Sequence, residues 1–149
     1  MTELRWSNPQ EGERWVRANA ANLTRPRVIL LSGTLGAGKT QVVKWFVQAL
    51  GGGNFASSPT FAIHQQYAVA NGHVDHVDLY RLQSDADLES SGFWDLFEQP
   101  NGLVFVEWAE RLPAAVWPAH WTKIFISLVR DQTRSESRLV TVRTELKRP

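Results

Sequence analysis

Residues 33–40 read Gly33-Thr34-Leu35-Gly36-Ala37-Gly38-Lys39-Thr40, which places glycine, glycine, lysine and threonine at the spacing GxxxxGK[ST]. Those residue types at that spacing suit one task, the holding of a polyphosphate. Gly33, Gly36 and Gly38 let the main chain turn and approach a phosphate with no Cβ in the way. Successive N–H groups of such a turn point inward as an anion nest. A helix starting directly after it adds its positive end. Lys39 can reach the β- and γ-phosphates as a point charge, and the Thr40 hydroxyl can ligate Mg²⁺. Nucleotide contacts are therefore expected from Gly33, Gly36, Ala37, Gly38, Lys39, Thr40 and Gln41. At average residue usage the pattern arises by chance in under roughly 1% of chains this long. It fixes a triphosphate without choosing adenine over guanine.

A loop of this kind needs a second acidic group for the metal. Leu103-Val104-Phe105-Val106-Glu107 is an apolar strand closed by one carboxylate, so Glu107 is the expected second Mg²⁺ ligand. Asp78 lies in His76-Val77-Asp78-Leu79-Tyr80, where alternation puts His76, Asp78 and Tyr80 on one strand face. Two readings of Asp78 stay open, a carboxylate ordering water at the metal or a solvated strand face. His73 and Asp75, nearer the turn, are expected at the surface. Thr60, after Ser58-Pro59, stands where a switch threonine would sense the γ-phosphate, and a plain hydroxyl turn is its alternative. Trp94, Trp108, Trp117 and Trp121 are expected in the core or an interface, with Trp108 nearest the site because it follows Glu107.

These side chains need elements to position them. Asn8-Pro9 reads as a helix cap followed by a first-turn proline, with Val16, Ala20 and Leu23 on one face of the helix. Val28 to Leu31 is a short buried strand. Val42, Val43, Phe46, Val47 and Leu50 recur at helical spacing and stop at Gly51-Gly52-Gly53. Phe61 to Ala70 and His73 to Leu79 are β-like runs separated by Asn71-Gly72, a hairpin signal. Asp85 to Phe97 reads as one or two short helices broken near Gly92. Leu103 to Val106 is a second buried strand. Trp108 to Leu112 is a short helix or turn. Lys123 to Val129 and Arg138 to Val142 are β-branched and expected to pair antiparallel around a polar loop. The last seven residues are expected to fray. The sum is an α/β fold of P-loop NTPase type: a mixed sheet with a parallel centre and antiparallel hairpin edges, flanked by helices.

The bulk properties fit one soluble domain over 1–149. The chain has 149 residues, net charge +1, 43% apolar and 21% charged residues. That balance is ordinary for a globular domain and argues against binding nucleic acid by bulk charge. The absence of cysteine excludes disulfides, thiolate metal sites and a cysteine nucleophile. No apolar run approaches the ~18 residues of a membrane span, and the N-terminus has no apolar leader-like stretch. A cytoplasmic protein is expected.

In this order and spacing the chain resembles the TsaE family. The resemblance rests on GTLGAGKT (33–40), SSPTF (57–61), HVDLYRL (76–82), ESSGFWDLF (89–97) and VEWAE (106–110). It implies a small ATPase that uses ATP and Mg²⁺ in making N6-threonylcarbamoyladenosine, a modification of the adenosine beside the tRNA anticodon. It implies TsaB and TsaD as partners, indirect contact with tRNA, and slow turnover without the partners. It gives Lys39 and Thr40 the phosphate-loop roles, Thr60 the switch role, Asp78 the role of the activity-critical aspartate and Glu107 that of the magnesium glutamate. It also implies an arginine near the nucleotide from the loop after the penultimate strand, at Arg134. Three positions depart from the family pattern: Thr34 stands where Asp is usual, Gln41 where a second hydroxyl is usual, and Ala109 where Pro is usual.

The residues alone leave two other classes open. A small-molecule kinase shares the loop but needs an arginine-bearing lid, for which only Arg130 to Arg138 is available. A nucleotide-gated binding module would keep the loop and lack catalysis. From Lys123 onward seven basic residues face three acidic ones, a patch that suits tRNA phosphates, an acidic partner or plain solvent.

Overall fold

The computed structural model describes residues 1–53, 64–80, 82 and 84–148. Its elements are β1 (Thr2–Trp6), α1 (Pro9–Ala20), β2 (Arg27–Ser32), α2 (Lys39–Ala49), β3 (His64–Val69), β4 (Gly72–Asp78), α3 (Asp85–Ser90), β5 (Leu103–Glu107), β6 (Thr122–Arg130) and β7 (Arg138–Glu145). Short 3-10 helices cover Phe93–Glu98, Ala109–Arg111 and Ala114–Val116. Among the described residues the strands form one seven-stranded sheet in the order β1-β7-β6-β2-β5-β4-β3. The β6-β2-β5-β4 centre is parallel, and β3, β7 and β1 pair antiparallel at the edges. The mixed sheet expected from the sequence is the one observed.

β2 and β5, in the middle of the sheet, carry unbroken apolar runs over Val28–Leu31 and Leu103–Val106 because both faces of the sheet are covered there. Side chains alternate along a strand, so β2 divides its residues between two cores. Ile29 and Leu31 pack with Val16 and Ala20 of α1 and with Val42, Val43, Phe46 and Val47 of α2. Val28 and Leu30 join Phe93, Phe97, Trp117 and Trp121 on the opposite face. Two of the tryptophans thus fill the second core, where the Trp121 and Phe97 rings meet edge to face with centroids 5.1 Å apart. Trp94, by contrast, is 36% exposed. No helix among the described residues is long and apolar enough to cross a membrane.

Several boundaries differ from the sequence reading. Asn8 caps α1 as expected, its Oδ1 accepting from Glu11 N at 3.0 Å. The helix ends at Ala20, however, and Leu23 packs on the core from beyond it. The hairpin turn is Ala70-Asn71, one residue earlier than expected, with Gly72 opening β4 at φ +125°. The part of the first hairpin run before His64 lies outside the described residues. β1 was not anticipated: it buries only Trp6, so its sequence carries little pattern. The tail does not fray at residue 143, because β7 runs on to Glu145 and Arg143 lies over Phe125 at 4.0 Å. Arg148 N then bonds Ala119 O at 2.8 Å.

Asp75 is the clearest correction. It is fully buried, accepting from His64 Nε2 at 2.6 Å and from Gln99 Nε2 at 3.0 Å, with His73 Nε2 3.3 Å away. Burial raises its pKa, yet hydrogen bonds from His64, Gln99 and Gln66, with the charge of His64, outweigh it and hold the carboxyl below its ordinary value. A carboxylate depressed in the fold contributes stability above its unfolded pKa of about 4 and loses it as pH falls through the folded value. Urea unfolding should therefore show Asp75→Asn less stable than wild type near about pH 6, the gap narrowing as pH falls below the ordinary carboxylate value of about 4. A gap independent of pH would contradict this.

Candidate functional site

Parallel pairing sets the geometry of the site. Leu31 of β2 pairs with Glu107 of β5, and Glu107 pairs with Asp78 of β4. These three residues form one row at the carboxyl edge of the sheet, and the glycine loop leaves β2 one residue beyond it. Ligands in open α/β sheets bind at this edge.

The loop needs its glycines. Gly33, Gly36 and Gly38 have φ of +145°, +79° and +111°, all in the left-handed region. A Cβ on Gly33 would also lie 2.5 Å from the Leu128 carbonyl oxygen of β6. Gly38 is the N-cap of α2, and no side chain caps that end. The amides that open α2 are thus left to a ligand or to water.

Lys39, the first residue of α2, is 4% exposed. Its Nζ donates to Gly33 O at 2.5 Å and Thr34 O at 2.9 Å, and it lies 4.1 Å from the Trp108 ring centroid. Burial lowers its pKa, opposed by the carboxylates of Glu110, Glu107 and Asp78. The Thr40 hydroxyl donates to Glu107, 2.8 Å from Oε1 and 3.0 Å from Oε2. His76 Nε2 reaches Glu107 Oε2 at 2.5 Å. The sequence reading placed Thr40 and Glu107 together, and the fold brings their polar atoms into contact across 67 residues. Asp78 ends β4 at the same edge, its Oδ1 accepting from Tyr80 N at 2.9 Å. Tyr80 lies beyond the strand, so it shares no strand face with His76. Its ring instead packs on Trp108 at 4.9 Å.

Thr60 lies outside the described residues. Arg134 sits in the β6–β7 loop, its carbonyl accepting from Ser137 N at 3.1 Å. Among the described residues the guanidinium groups that reach the glycine loop belong to Arg138 and Arg130. Arg138 Nε donates to Ala37 O at 2.7 Å. Arg130 Nη1 lies 3.6 Å from the point a Cβ on Gly36 would occupy. The β6–β7 loop is braced by Asp131, which accepts from the backbone and hydroxyl of Thr133 and from Arg5. Those bonds hold its carboxyl well below the usual carboxylate range. Sequence reasoning also missed Glu110, which accepts from Gly33 N at 3.0 Å. Trp108 has φ +60°, a conformation that a bulky residue adopts only where its surroundings enforce it. That backbone sets its ring over Lys39.

Beside the loop opens a cavity of about 400 Å³ between the start of α1, α2 and the β6–β7 loop. Trp6, Pro9, Val42 and Trp45 supply apolar walls, with Ala37, Gly38 and Gln41 at the end facing the loop. The Trp6 indole N–H is buried without a hydrogen-bond partner among the described residues. The same residues contain no group of three or more His, Asp or Glu able to hold a metal by themselves. What the sheet edge offers a cation is the Thr40 hydroxyl facing the Glu107 carboxylate, with Asp78 in the same row.

Comparison with known proteins agrees with this geometry. The family model described as threonylcarbamoyl adenosine biosynthesis protein TsaE matches residues 6–138. A Bacillus subtilis protein named tRNA threonylcarbamoyladenosine biosynthesis protein TsaE is 35% identical over 136 residues, 90% of this chain and 84% of its own length. A Synechocystis protein of the same name is 38% identical over 103 residues, 68% of this chain and 66% of its own. The crystal structure of Bacillus subtilis YdiB superposes with a TM-score of 0.64 at 27% identity, covering 97% of this chain and 85% of that one. With the loop, the sheet edge and the matched residues in agreement, the chain belongs to the TsaE family.

Proposed function

We propose that the chain is a Mg²⁺-dependent ATPase serving the synthesis of threonylcarbamoyladenosine on tRNA, working in the cytoplasm with TsaB and TsaD. The observation that carries the ATPase reading is the convergence of the Lys39 ammonium, the Thr40 hydroxyl and the Glu107 carboxylate beside a glycine turn that opens α2. The tRNA pathway is supported by the family and by the names of its relatives.

In this reading the amides at the start of α2 hold the β-phosphate. Lys39 leaves the Gly33 and Thr34 carbonyls to meet the β- and γ-phosphates. Magnesium usually keeps several waters and takes one or two carboxylates plus substrate phosphates. A hydroxyl and a carboxylate already in hydrogen-bond contact therefore suit it, with Thr40 and Glu107 as its protein ligands. A cation held there would neutralise charge on the phosphate oxygens. Asp78, the register partner of Glu107 on β4, orients the attacking water, and Thr60 senses the γ-phosphate. The 400 Å³ cavity takes the adenine between its aromatic walls.

A kinase lid draws little support from the β6–β7 loop. Arg138 is committed to the Ala37, Ser135 and Ser137 carbonyls, and Arg5 ties Asp131 to β1.

Arg138, which reaches the loop, is held by backbone carbonyls, and an arginine finger supplied by a partner adds about 10³–10⁵ in rate. Phosphate release from ATP by the chain alone should therefore be slow and should rise when TsaB and TsaD are both present. Equal rates would contradict activation by the partners.

A further inference from the structure

His76 is fully buried in β4, and its ring is committed on both sides. Nε2 meets Glu107 Oε2 at 2.5 Å, and Nδ1 faces the Tyr67 hydroxyl of β3 at 3.3 Å. The Tyr67 hydroxyl also reaches Gln65 Oε1 at 2.6 Å. Glu107 is 2% exposed, and among the described residues its carboxylate is hydrogen-bonded by Thr40 from the loop side and by His76 from the sheet side. The Thr40 bond joins two groups that would both serve the cation, so it cannot fix the carboxylate once Thr40 turns to a metal. His76 can, because its own position is set by burial and by the β3–β4 hairpin.

We infer that His76 is the positioning residue that aims the Glu107 carboxylate at the divalent cation of the nucleotide site, an inference that rests on the nucleotide reading above. Nε2 takes one oxygen of the carboxylate and leaves the other turned toward Thr40. The hairpin of β3 and β4 thereby acts on the site through one imidazole, without touching nucleotide. Metal-bound carboxylates held by such hydrogen bonds lose about 10- to 100-fold in metal affinity when the partner is removed.

The test compares His76→Leu, His76→Asn and His76→Gln with wild type. Glutamine places an amide N–H where Nε2 stands, and asparagine is too short to reach Glu107. ADP is titrated by calorimetry into each protein in EDTA and then across a series of Mg²⁺ concentrations. In EDTA the Kd of every variant should stay within about twofold of wild type, while the Mg²⁺ needed for half of its effect rises about 10- to 100-fold in His76→Leu and His76→Asn. His76→Gln should restore it to within about threefold. If His76→Leu does not fold, the contrast between asparagine and glutamine carries the test. Variants that all match wild type in Mg²⁺ dependence overturn the role of His76 and leave the nucleotide reading standing. A wild-type chain that takes up no ADP overturns both.

Discussion

Lys39→Ala is expected to lower ATP hydrolysis by about 10²–10³-fold, the cost of removing one preorganised charge-stabilising donor from a water-poor site. The effect should fall on catalysis and nucleotide affinity, with little change in folding. Lys39 is buried, and burial works against its charge. Its removal gives up a buried ion while leaving two loop carbonyls that water can reach. Denaturation midpoints of the variant and wild type should then lie close together while phosphate release differs by orders of magnitude. Lys39→Arg should not rescue, because a planar fork of five donors does not fit where a compact ammonium sits 4.1 Å beneath an indole. A large loss of stability in Lys39→Ala would mean that the lysine serves the fold rather than the phosphate.

Phe105→Ala should do the reverse. Phe105 is fully buried in β5, pairs with Ile29 on one side and His76 on the other, and packs on Phe46 of α2 at 5.3 Å. Truncating a buried phenylalanine costs about 3–5 kcal/mol in lost burial and residual cavity. Total stability in domains of this size is only about 5–15 kcal/mol. A urea midpoint shifted by such an amount with an unchanged slope is the expected outcome. The position also matters to function, because Phe105 sits two residues before Glu107 and joins the sheet to α2, the helix that carries Lys39 and Thr40. A loss below about 1 kcal/mol would show that the space collapses and that α2 is held mainly from elsewhere.

How much of this was legible in the chain follows from the kind of signal each part leaves. The loop and its two flanking elements were readable because left-handed backbone demands glycine, and a strand buried on both faces demands an unbroken apolar run. Glu107 could be placed beside Thr40 because a parallel strand of that composition has few other positions in such a sheet. Asp75 was misjudged because its burial depends on His64 and Gln99, which no local pattern ties to it. β1 escaped notice because an edge strand that buries one residue writes almost nothing into its sequence. Arg138 and Glu110 reach the loop from 101 and 77 residues away, and their contacts run to backbone atoms, which carry no sequence identity. Trp108 was placed near the site from its neighbour, but its φ of +60° is set by tertiary packing and could not be read.

The most direct measurement is a calorimetric titration of Mg·ATP into the purified chain, alongside Lys39→Ala. Uptake at one site per chain, saturating in wild type and lost or severely weakened in the variant, is the result expected of a loop built to hold phosphate. No uptake by wild type, or uptake that ignores the substitution, would mean that the turn between β2 and α2 is not where this protein meets its nucleotide.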